Sequence, residues 1–170
     1  MKSVLILRHA KSSWKDSEID DHERPLNKRG TRDAPIMGKL LKNKHLVPDL
    51  IISSTAKRAR STAKRVAESS GYKGKITLDR SLYAAEPAAY INVLRHLSNE
   101  YTQVLMVGHN PGIEELVSML AGEEHVMPTC SVVHIRFDVN SWNEINYKSR
   151  GKLLGTWQPR ELIEQHDFDG

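Results

Sequence analysis

Two histidines and two arginines lie just after short apolar segments, and these residue types can bind and transfer a phosphoryl group. Arg8 and His9 follow the segment VLIL, Arg58 lies shortly after LII, and His109 follows VLMVG. An arginine guanidinium binds phosphate oxygens through a planar fork and keeps its charge. A neutral imidazole attacks phosphorus without first losing a proton, and the phosphohistidine that it forms is labile. We therefore predict phosphoryl transfer, with His9 as the nucleophile and Arg8, Arg58 and His109 binding the phosphoryl group.

Each of these residues has a structural alternative when it is taken alone. His9 could cap or pack an element, His109 could be a turn residue, and Arg58 could be a solvated cation on a helix. A metal site would need a third ligand beside the two histidines, and none stands at a recognisable spacing. The occurrence of these residues at three successive strand ends is what favours a shared site.

The apolar pattern predicts the elements that position these residues. Four buried strands are expected at Val4–Leu7, Leu50–Ile52, Val104–Val107 and Val132–Phe137, with a last edge strand within Tyr147–Trp157. Helices are expected at Arg32–Leu46, Lys57–Ser70, Pro87–Leu97 and Ile113–Ala121. Strands that alternate with helices favour an α/β fold, in which a central, mostly parallel sheet is flanked by helices in three layers.

In an open sheet of this kind, ligands bind in the crevice beyond the carboxyl ends of the strands. The polar residues that follow three of the predicted strands, namely Arg8 and His9, Arg58, and His109, should therefore meet there. The start of the helix near Arg58 would add free N–H groups and the positive end of a helix dipole. Gly108 and Gly112 would let the backbone approach a bound oxyanion. His109, if protonated, would act as a third cation on the phosphoryl oxygens.

The length and composition indicate one domain without a membrane span. The chain has 170 residues, of which 39% are hydrophobic and 27% charged. We expect a single domain over residues 1–160 and a polar tail over 161–170. The N-terminus lacks the long apolar region and cleavage site of a signal peptide, so a cytoplasmic location is expected. The single cysteine, Cys130, is interpreted as a buried structural thiol.

The charge is distributed unevenly along the chain. Residues 1–80 hold 19 Lys and Arg against 9 Asp and Glu, whereas residues 81–170 hold 6 against 12. A basic half can steer an anionic ligand, although solvated helix faces account for most of these charges. Aromatic residues make up only 6% of the chain and no nucleic-acid-binding module is recognisable. Neither nucleic acid nor a membrane is therefore an expected partner.

Several segments together resemble the histidine phosphatase superfamily, whose signature is Arg-His-Gly or Arg-His-Ala after the first strand. The match is closest to its short, SixA-like branch of phosphohistidine phosphatases. It is carried by LRHAKSSW (7–14), DDHERPLNKRG (20–30), PDLIISSTAKRARSTA (48–63), LYAAEP (82–87) and VGHNPGIEELVSMLAG (107–122). The resemblance implies a phosphoglycerate mutase-like fold, a phosphorylated His9, phosphate binding by Arg8, Arg58 and His109, and no required metal or other cofactor.

The sequence departs from the mutase-like branch, whose motif continues with Gly and Glu and has an Asn a few residues on. Ala10, Lys11 and Lys15 stand at those places, which weakens a phosphoglycerate mutase interpretation. Many superfamily members also carry an acidic residue that protonates an alcohol leaving group. Glu86 is the nearest candidate by position, with a first-turn helix carboxylate as the alternative. Asp20 and Asp21 are weaker candidates.

Three functions remain open at this point. The first is hydrolysis of phosphohistidine on a phosphorelay or phosphotransfer protein, because imidazole leaves without the strong acid catalysis that an alkoxide needs. The second is hydrolysis of a small phosphate monoester within the same superfamily, which a well-placed Glu86 would favour. The third is a non-catalytic module that binds phosphate or nucleic acid through the basic half of the chain.

Overall fold

The strands and helices alternate along the chain. The computed structural model describes residues 1–163. Its strands are β1 (Lys2–Arg8), β2 (Leu50–Ser53), β3 (Ile76–Leu78), β4 (Gln103–Gly108), β5 (Val132–Phe137) and β6 (Lys152–Trp157). Its helices are α1 (Lys28–Asn43), α2 (Lys57–Ser70), α3 (Pro87–Arg95) and α4 (Gly112–Ala121), and a further helical segment covers residues 159–163.

The strands form one mixed sheet in the order β3-β2-β4-β1-β5-β6. The first four of these are parallel to one another, whereas β5 runs antiparallel to both β1 and β6. Five strands therefore point the same way and only β5 is reversed, which confirms the predicted mostly parallel sheet. The reversal brings the start of β5 to the same edge as the ends of the parallel strands.

Two apolar cores lie on opposite faces of the sheet, because alternate residues of each strand point to opposite sides. Along β1, Val4 and Ile6 pack into one core, and Leu5 and Leu7 into the other. The first core is covered by α3 and α4, and the second by α1 and α2. The helices thus form two outer layers, and the three-layer prediction is confirmed.

Most predicted elements are present, with differences at their ends. Helix α1 begins four residues before its predicted start because the Asn27 side chain accepts a hydrogen bond from the Gly30 N–H and caps the helix there. It ends at Asn43 rather than Leu46, since His45 has the left-handed φ of 58°. Strand β3 was not predicted, because it has three residues and is partly exposed at the sheet edge.

Part of the predicted C-terminal tail can be described. Residues 161–163 continue the helical segment, and Leu162 packs against the core beneath α1 and α2. Residues 164–170 of that tail lie outside the described residues, and the predicted domain boundaries stay a prediction. No helix within residues 1–163 is long and apolar enough to cross a membrane. Cys130 is buried, and burial raises the pKa of its thiol, in agreement with a structural role.

The ends of β1, β2 and β4 are in register. Arg8 of β1 is paired with Gly108 of β4, and Ser53 of β2 with Val107 of β4. Two further backbone hydrogen bonds continue these pairings beyond the strands, from the His9 N–H to the Gly108 carbonyl and from the Ser54 N–H to the Val107 carbonyl. The three segments that carry the predicted chemistry therefore meet at one edge of the sheet.

Candidate active site

His9 is held as a neutral imidazole just beyond the end of β1. Its side chain is buried, and Nδ1 donates a hydrogen bond to the Ala10 carbonyl at 2.7 Å. A carbonyl can only accept, so this bond places the ring hydrogen on Nδ1 and leaves the lone pair on Nε2. Burial lowers the pKa of His9 to about 3. Within residues 1–163, Nε2 makes no hydrogen bond, and it is therefore available as a nucleophile.

Thr62 connects His9 to helix α2. Its hydroxyl donates to the Arg58 carbonyl one turn earlier at 2.7 Å and accepts a hydrogen bond from the Ala10 N–H at 2.9 Å. The Ala10 peptide thereby holds His9 through its carbonyl and is itself held through its N–H. The orientation of the imidazole is thus fixed by the same helix that carries Arg58.

Arg8 reaches across to the segment that precedes β5. Its Nη1 donates to the Met127 carbonyl at 3.0 Å, while its buried Nε has no hydrogen-bond partner in the described chain. The Cys130 N–H donates to the carbonyls of both Arg8 and His9. Glu114 of α4 supports this segment by accepting a hydrogen bond from the Met127 N–H at 3.0 Å. The reversed strand therefore supplies one wall of the site through its leading segment.

Arg58 is buried in the first turn of α2 and is engaged by Asp21. Its Nη1 donates to the Asp21 carbonyl at 2.7 Å, and its Nη2 to the Asp21 Oδ2 at 3.1 Å. The Tyr83 hydroxyl donates to the same Oδ2 at 2.6 Å. The hydrogen bond from Tyr83, aided by the charge of Arg58, lowers the pKa of Asp21. The Arg58 Nε is buried and has no protein partner among residues 1–163, so it can still donate to an anion.

His109 lies beside His9, with 5.1 Å between the two ring centroids. Its backbone N–H donates to the Tyr90 hydroxyl, and its Nε2 lies 2.7 Å from the Ser54 Oγ. Burial, reinforced by the positive charge of Arg58, lowers the pKa of His109 to about 4. The ring is therefore neutral near pH 7, so the protonated form considered from the sequence does not describe His109 in the absence of a ligand.

The two glycines near His109 serve packing. A side chain at Gly108 would collide with the Tyr90 hydroxyl, and one at Gly112 would collide with the Ala85 carbonyl. The space that they leave is thus filled by protein. Packing therefore accounts for both glycines, and the approach of an oxyanion to their backbone stays a prediction.

Glu86 lines a cavity of about 290 Å³ next to His109, together with Asn110, Pro111 and Glu115 among others. The residue precedes α3, its side chain is exposed, and it makes no capping hydrogen bond. Glu86 is the N-cap residue, immediately before the first turn, so the alternative of a carboxylate favoured by the helix dipole stays open. His9 is not among the residues that line this cavity, so Glu86 approaches the site from the His109 side.

Some residues of this cluster were not recognised in the sequence. Asp21 was considered only as a weak proton donor, and its low pKa and its bond to Arg58 argue against that role. Ser54, Thr62 and Tyr83 were not singled out, although Thr62 lies four residues after Arg58 and hence on the same face of α2. That spacing could have identified Thr62, and the position of Ser54 just after the second predicted strand is the same signal that identified His9 and His109.

The arrangement suits a tetrahedral anion. The buried Arg58, the half-buried Arg8 and two neutral imidazoles face one crevice. The Arg8 Nε, the Arg58 Nε and the His109 Nδ1 are buried atoms that have no hydrogen-bond partner within residues 1–163. Buried donors of this kind are normally satisfied, and an oxyanion would satisfy them. Within the same residues, no three His, Cys, Asp or Glu side chains cluster in a way that could hold a metal ion.

Comparison with known proteins agrees with this chemistry. The sequence pattern of the Histidine phosphatase superfamily (branch 1) matches residues 4–83. An uncharacterised chloroplastic protein of Arabidopsis thaliana is 34% identical over 152 residues, which cover 84% of this chain and 70% of that protein.

Two solved structures are similar over nearly the whole chain. A protein assigned as the phosphohistidine phosphatase SixA of Agrobacterium tumefaciens has a TM-score of 0.80 at 27% identity, covering 93% of this chain and 98% of that one. The protein histidine phosphatase SixA in complex with tungstate also has a TM-score of 0.80, at 22% identity, covering 94% of this chain and 99% of that one. The second likeness is one of fold, and the expected phosphoglycerate mutase-like architecture is confirmed.

Proposed function

Because this chain belongs to the histidine phosphatase superfamily and is a histidine-dependent phosphatase, we propose that it hydrolyses phosphohistidine on a protein, with His9 as the nucleophile. Arg8, Arg58 and His109 bind the transferred phosphoryl group in this proposal. The observation that carries it is that His9 is a neutral imidazole with a free Nε2. The Asp21 carboxylate beside Arg58, whose pKa is lowered, adds to this because it is ionised and cannot readily protonate a leaving group. Such a site favours a leaving group that needs little protonation.

The reaction proceeds in two displacements. The His9 Nε2 attacks phosphorus, a new P–N bond forms, and the P–N bond to the substrate imidazole breaks. The substrate ring leaves neutral, because its second nitrogen can take a proton from water before the transfer. Water then attacks the phosphorylated His9, the P–N bond to Nε2 breaks, and inorganic phosphate departs. Arginine and N–H donors stabilise the charge on the phosphoryl oxygens in both steps.

The Asp21 interactions bear on the leaving group. An alkoxide requires a proton from a carboxylic acid as it leaves, so an acid with a raised pKa is needed. Asp21 has a lowered pKa instead, since Tyr83 and Arg58 both donate to its carboxylate. Its arrangement therefore supports a substrate whose leaving group is already a good one. The likeness to the Agrobacterium SixA protein, assigned as a phosphohistidine phosphatase, supports the same substrate class.

Trapping the intermediate tests this proposal. Wild type, His9→Ala and His96→Ala are incubated with a phosphohistidine-bearing carrier protein, with para-nitrophenyl phosphate and with phosphoserine, and are quenched in alkali, in which phosphohistidine survives. The His96 side chain is exposed, and within residues 1–163 it bonds only to the carbonyl of Asn92, so its variant is the matched control. We expect a base-stable, acid-labile phosphate on wild type and His96→Ala but none on His9→Ala.

The substrate series tests the leaving group separately. Turnover should be fastest for the phosphohistidine protein and slowest for phosphoserine, the alkyl ester. Unchanged activity in His9→Ala would overturn the mechanism. Phosphoserine hydrolysed as fast as the phosphohistidine protein would overturn the substrate class and leave the mechanism standing.

A small phosphate monoester is the second candidate substrate, and the position of Glu86 favours it. The carboxylate lines the cavity beside His109, where it could protonate a leaving oxygen. The chain is an enzyme of this superfamily, so a non-catalytic binding module does not describe it.

A further inference from the structure

Ser54 lies just after the end of β2 and is completely buried. Its backbone N–H is bonded to the Val107 carbonyl, which fixes the residue against β4. Its hydroxyl oxygen accepts a hydrogen bond from the Ala56 N–H at 3.2 Å, just before α2 begins, and lies 2.7 Å from the His109 Nε2. Ser54 therefore bridges the start of α2 and the imidazole that follows β4.

The hydrogen-bonding capacity of a hydroxyl decides which of the two groups, the Ser54 hydroxyl or the His109 Nε2, donates the hydrogen bond between them. A serine hydroxyl has one hydrogen and two lone pairs, and the Ala56 N–H takes one of the lone pairs. If His109 donated from Nε2, the Ser54 hydrogen would have no acceptor among residues 1–163. The lone pair on the His109 Nδ1 would then be unsatisfied as well, whereas donation by Ser54 leaves only one buried group, the His109 Nδ1–H, without a partner. Each buried unsatisfied group is costly, so the arrangement with fewer of them is favoured. The Ser54 hydroxyl therefore donates, and Nε2 of His109 accepts.

The opposite ring nitrogen then carries the hydrogen. A neutral imidazole has one N–H, so acceptance at Nε2 places it on Nδ1. The His109 Nδ1 is buried and has no hydrogen-bond partner within residues 1–163, and the ring centroid lies 5.1 Å from that of the His9 ring. An unsatisfied N–H at this place can be satisfied by an oxygen of a phosphoryl group seated on His9.

We propose that Ser54 is a positioning residue that holds neutral His109 in the Nδ1–H tautomer, so that His109 binds the phosphoryl group as a hydrogen-bond donor. The donor role rests on the proposed function of the site, whereas the tautomer does not. A neutral donor has an advantage beside two arginines, since a third positive charge would be repelled before the substrate arrives. Ser54 thus lets His109 stabilise the developing charge without first taking up a proton.

The tautomer can be measured without substrate. Long-range ¹H–¹⁵N correlation spectra distinguish the protonated nitrogen of a histidine, and the His109 signals are assigned by their loss in His109→Asn. At pH 7 we expect wild type to show hydrogen on Nδ1, and Ser54→Ala to shift toward Nε2–H. Ser54→Thr keeps a hydroxyl and should restore the wild-type pattern. Ser53→Ala is the matched control, since the Ser53 hydroxyl donates to the Ser54 carbonyl and does not bond to His109.

Inorganic phosphate, the reaction product, serves as the ligand probe. Its inhibition constant should rise, and kcat/KM should fall by about 10-fold to 100-fold, in Ser54→Ala but not in Ser53→Ala. Hydrogen on Nε2 in wild type, or an unchanged tautomer in Ser54→Ala, would overturn the proposal. If Ser54→Ala does not fold, the tautomer of His109 in wild type decides: hydrogen on Nδ1 supports the proposal and hydrogen on Nε2 overturns it. The expected tautomer in a protein that does not hydrolyse phosphohistidine would overturn the proposed function and not the role of Ser54.

Discussion

Asp21 accepts hydrogen bonds from Arg58 through both its main chain and its side chain. The two terminal nitrogens of the guanidinium reach the carbonyl and the carboxylate of this one residue, while Nε remains without a protein partner in the described chain. The carboxylate also accepts from the Tyr83 hydroxyl. Asp21 therefore orients the guanidinium so that the Arg58 Nε stays free to bind an anion, and its ionised carboxylate is unsuited to donating a proton.

Replacing Asp21 by asparagine tests this role. Asp21→Asn keeps the shape of the side chain and removes its charge, so Arg58 loses a charge-assisted hydrogen bond and becomes less well oriented. We expect kcat/KM to fall about 10-fold, equivalent to about 1.4 kcal/mol of transition-state stabilisation. Steady-state kinetics on the phosphohistidine protein measure it, with Arg58→Ala as the reference for loss of most activity.

The neighbouring Asp20 provides the control. Its carboxylate makes no hydrogen bond or ion pair within residues 1–163, so Asp20→Asn should leave kcat/KM unchanged. A rise in activity in Asp21→Asn would show that Asp21 competes with the substrate for Arg58, and the positioning role would have to be abandoned.

Thr62 should matter for stability and for activity. Thr62→Val keeps the volume but removes the hydroxyl, so the Ala10 N–H loses its acceptor and the Arg58 carbonyl loses a donor. We expect the free energy of unfolding, measured in urea, to fall by about 1–3 kcal/mol, which is the cost of a buried unsatisfied group. We also expect kcat to fall, because His9 is less well oriented. Thr62→Ser should restore both. Wild-type stability in Thr62→Val would contradict the connection between His9 and α2.

The buried histidines make stability depend on pH. Burial lowers the pKa of His9 to about 3 and that of His109 to about 4, whereas a histidine in the unfolded chain titrates near ~6.5. The unfolded chain therefore binds more protons between these values, and the free energy of unfolding should fall as the pH falls from 6.5 toward 4. Each group contributes a slope of at most about 1.4 kcal/mol per pH unit.

Urea unfolding at several pH values measures that slope. His109→Asn should flatten it by the share of one histidine, whereas His96→Asn, at an exposed position, should leave it unchanged. Equal slopes for wild type and His109→Asn would show that His109 titrates alike in the folded and unfolded chains.

Glu86 can be tested by comparing leaving groups. Glu86→Gln removes a proton donor, so it should slow the hydrolysis of phosphoserine while leaving the phosphohistidine protein close to the wild-type rate. Glu115→Gln is the matched control, because Glu115 lines the same cavity. An equal loss on both substrates would assign Glu86 to binding rather than to proton transfer.

The sheet was largely predictable from the sequence because its central strands are buried on both faces and read as continuous apolar runs. Strand β3 escaped prediction since Thr77 and Leu78 are exposed at the edge. The start of α1 was misplaced because the side-chain cap at Asn27 precedes the first apolar residues of the helix. Boundaries set by capping or by a single left-handed residue carry no periodic signal.

The site was predictable where it depends on strand ends. His9 and His109 follow β1 and β4, and register alone brings them together. The role of Asp21 depends on a loop that folds back onto α2, and that of Ser54 on the hydrogen count of a buried hydroxyl. The composition and the residue spacing indicate neither of these two roles, so both were found only in the structure.

The reversed direction of β5 has a consequence for how this enzyme could acquire new substrates. Residues 122–131 connect α4 to β5 along the edge of the sheet that carries the site. They contact Arg8 only in their second half, through the carbonyls of Met127 and Ser131 and the N–H of Cys130. Their earlier part is open to solvent, with Val126 78% exposed. Exposed loop tips tolerate inserted residues. A longer connection at this place could cover the crevice while the strand order, Arg8 and Arg58 stay unchanged. Selectivity could then be altered at a single point in the gene without rebuilding the catalytic centre.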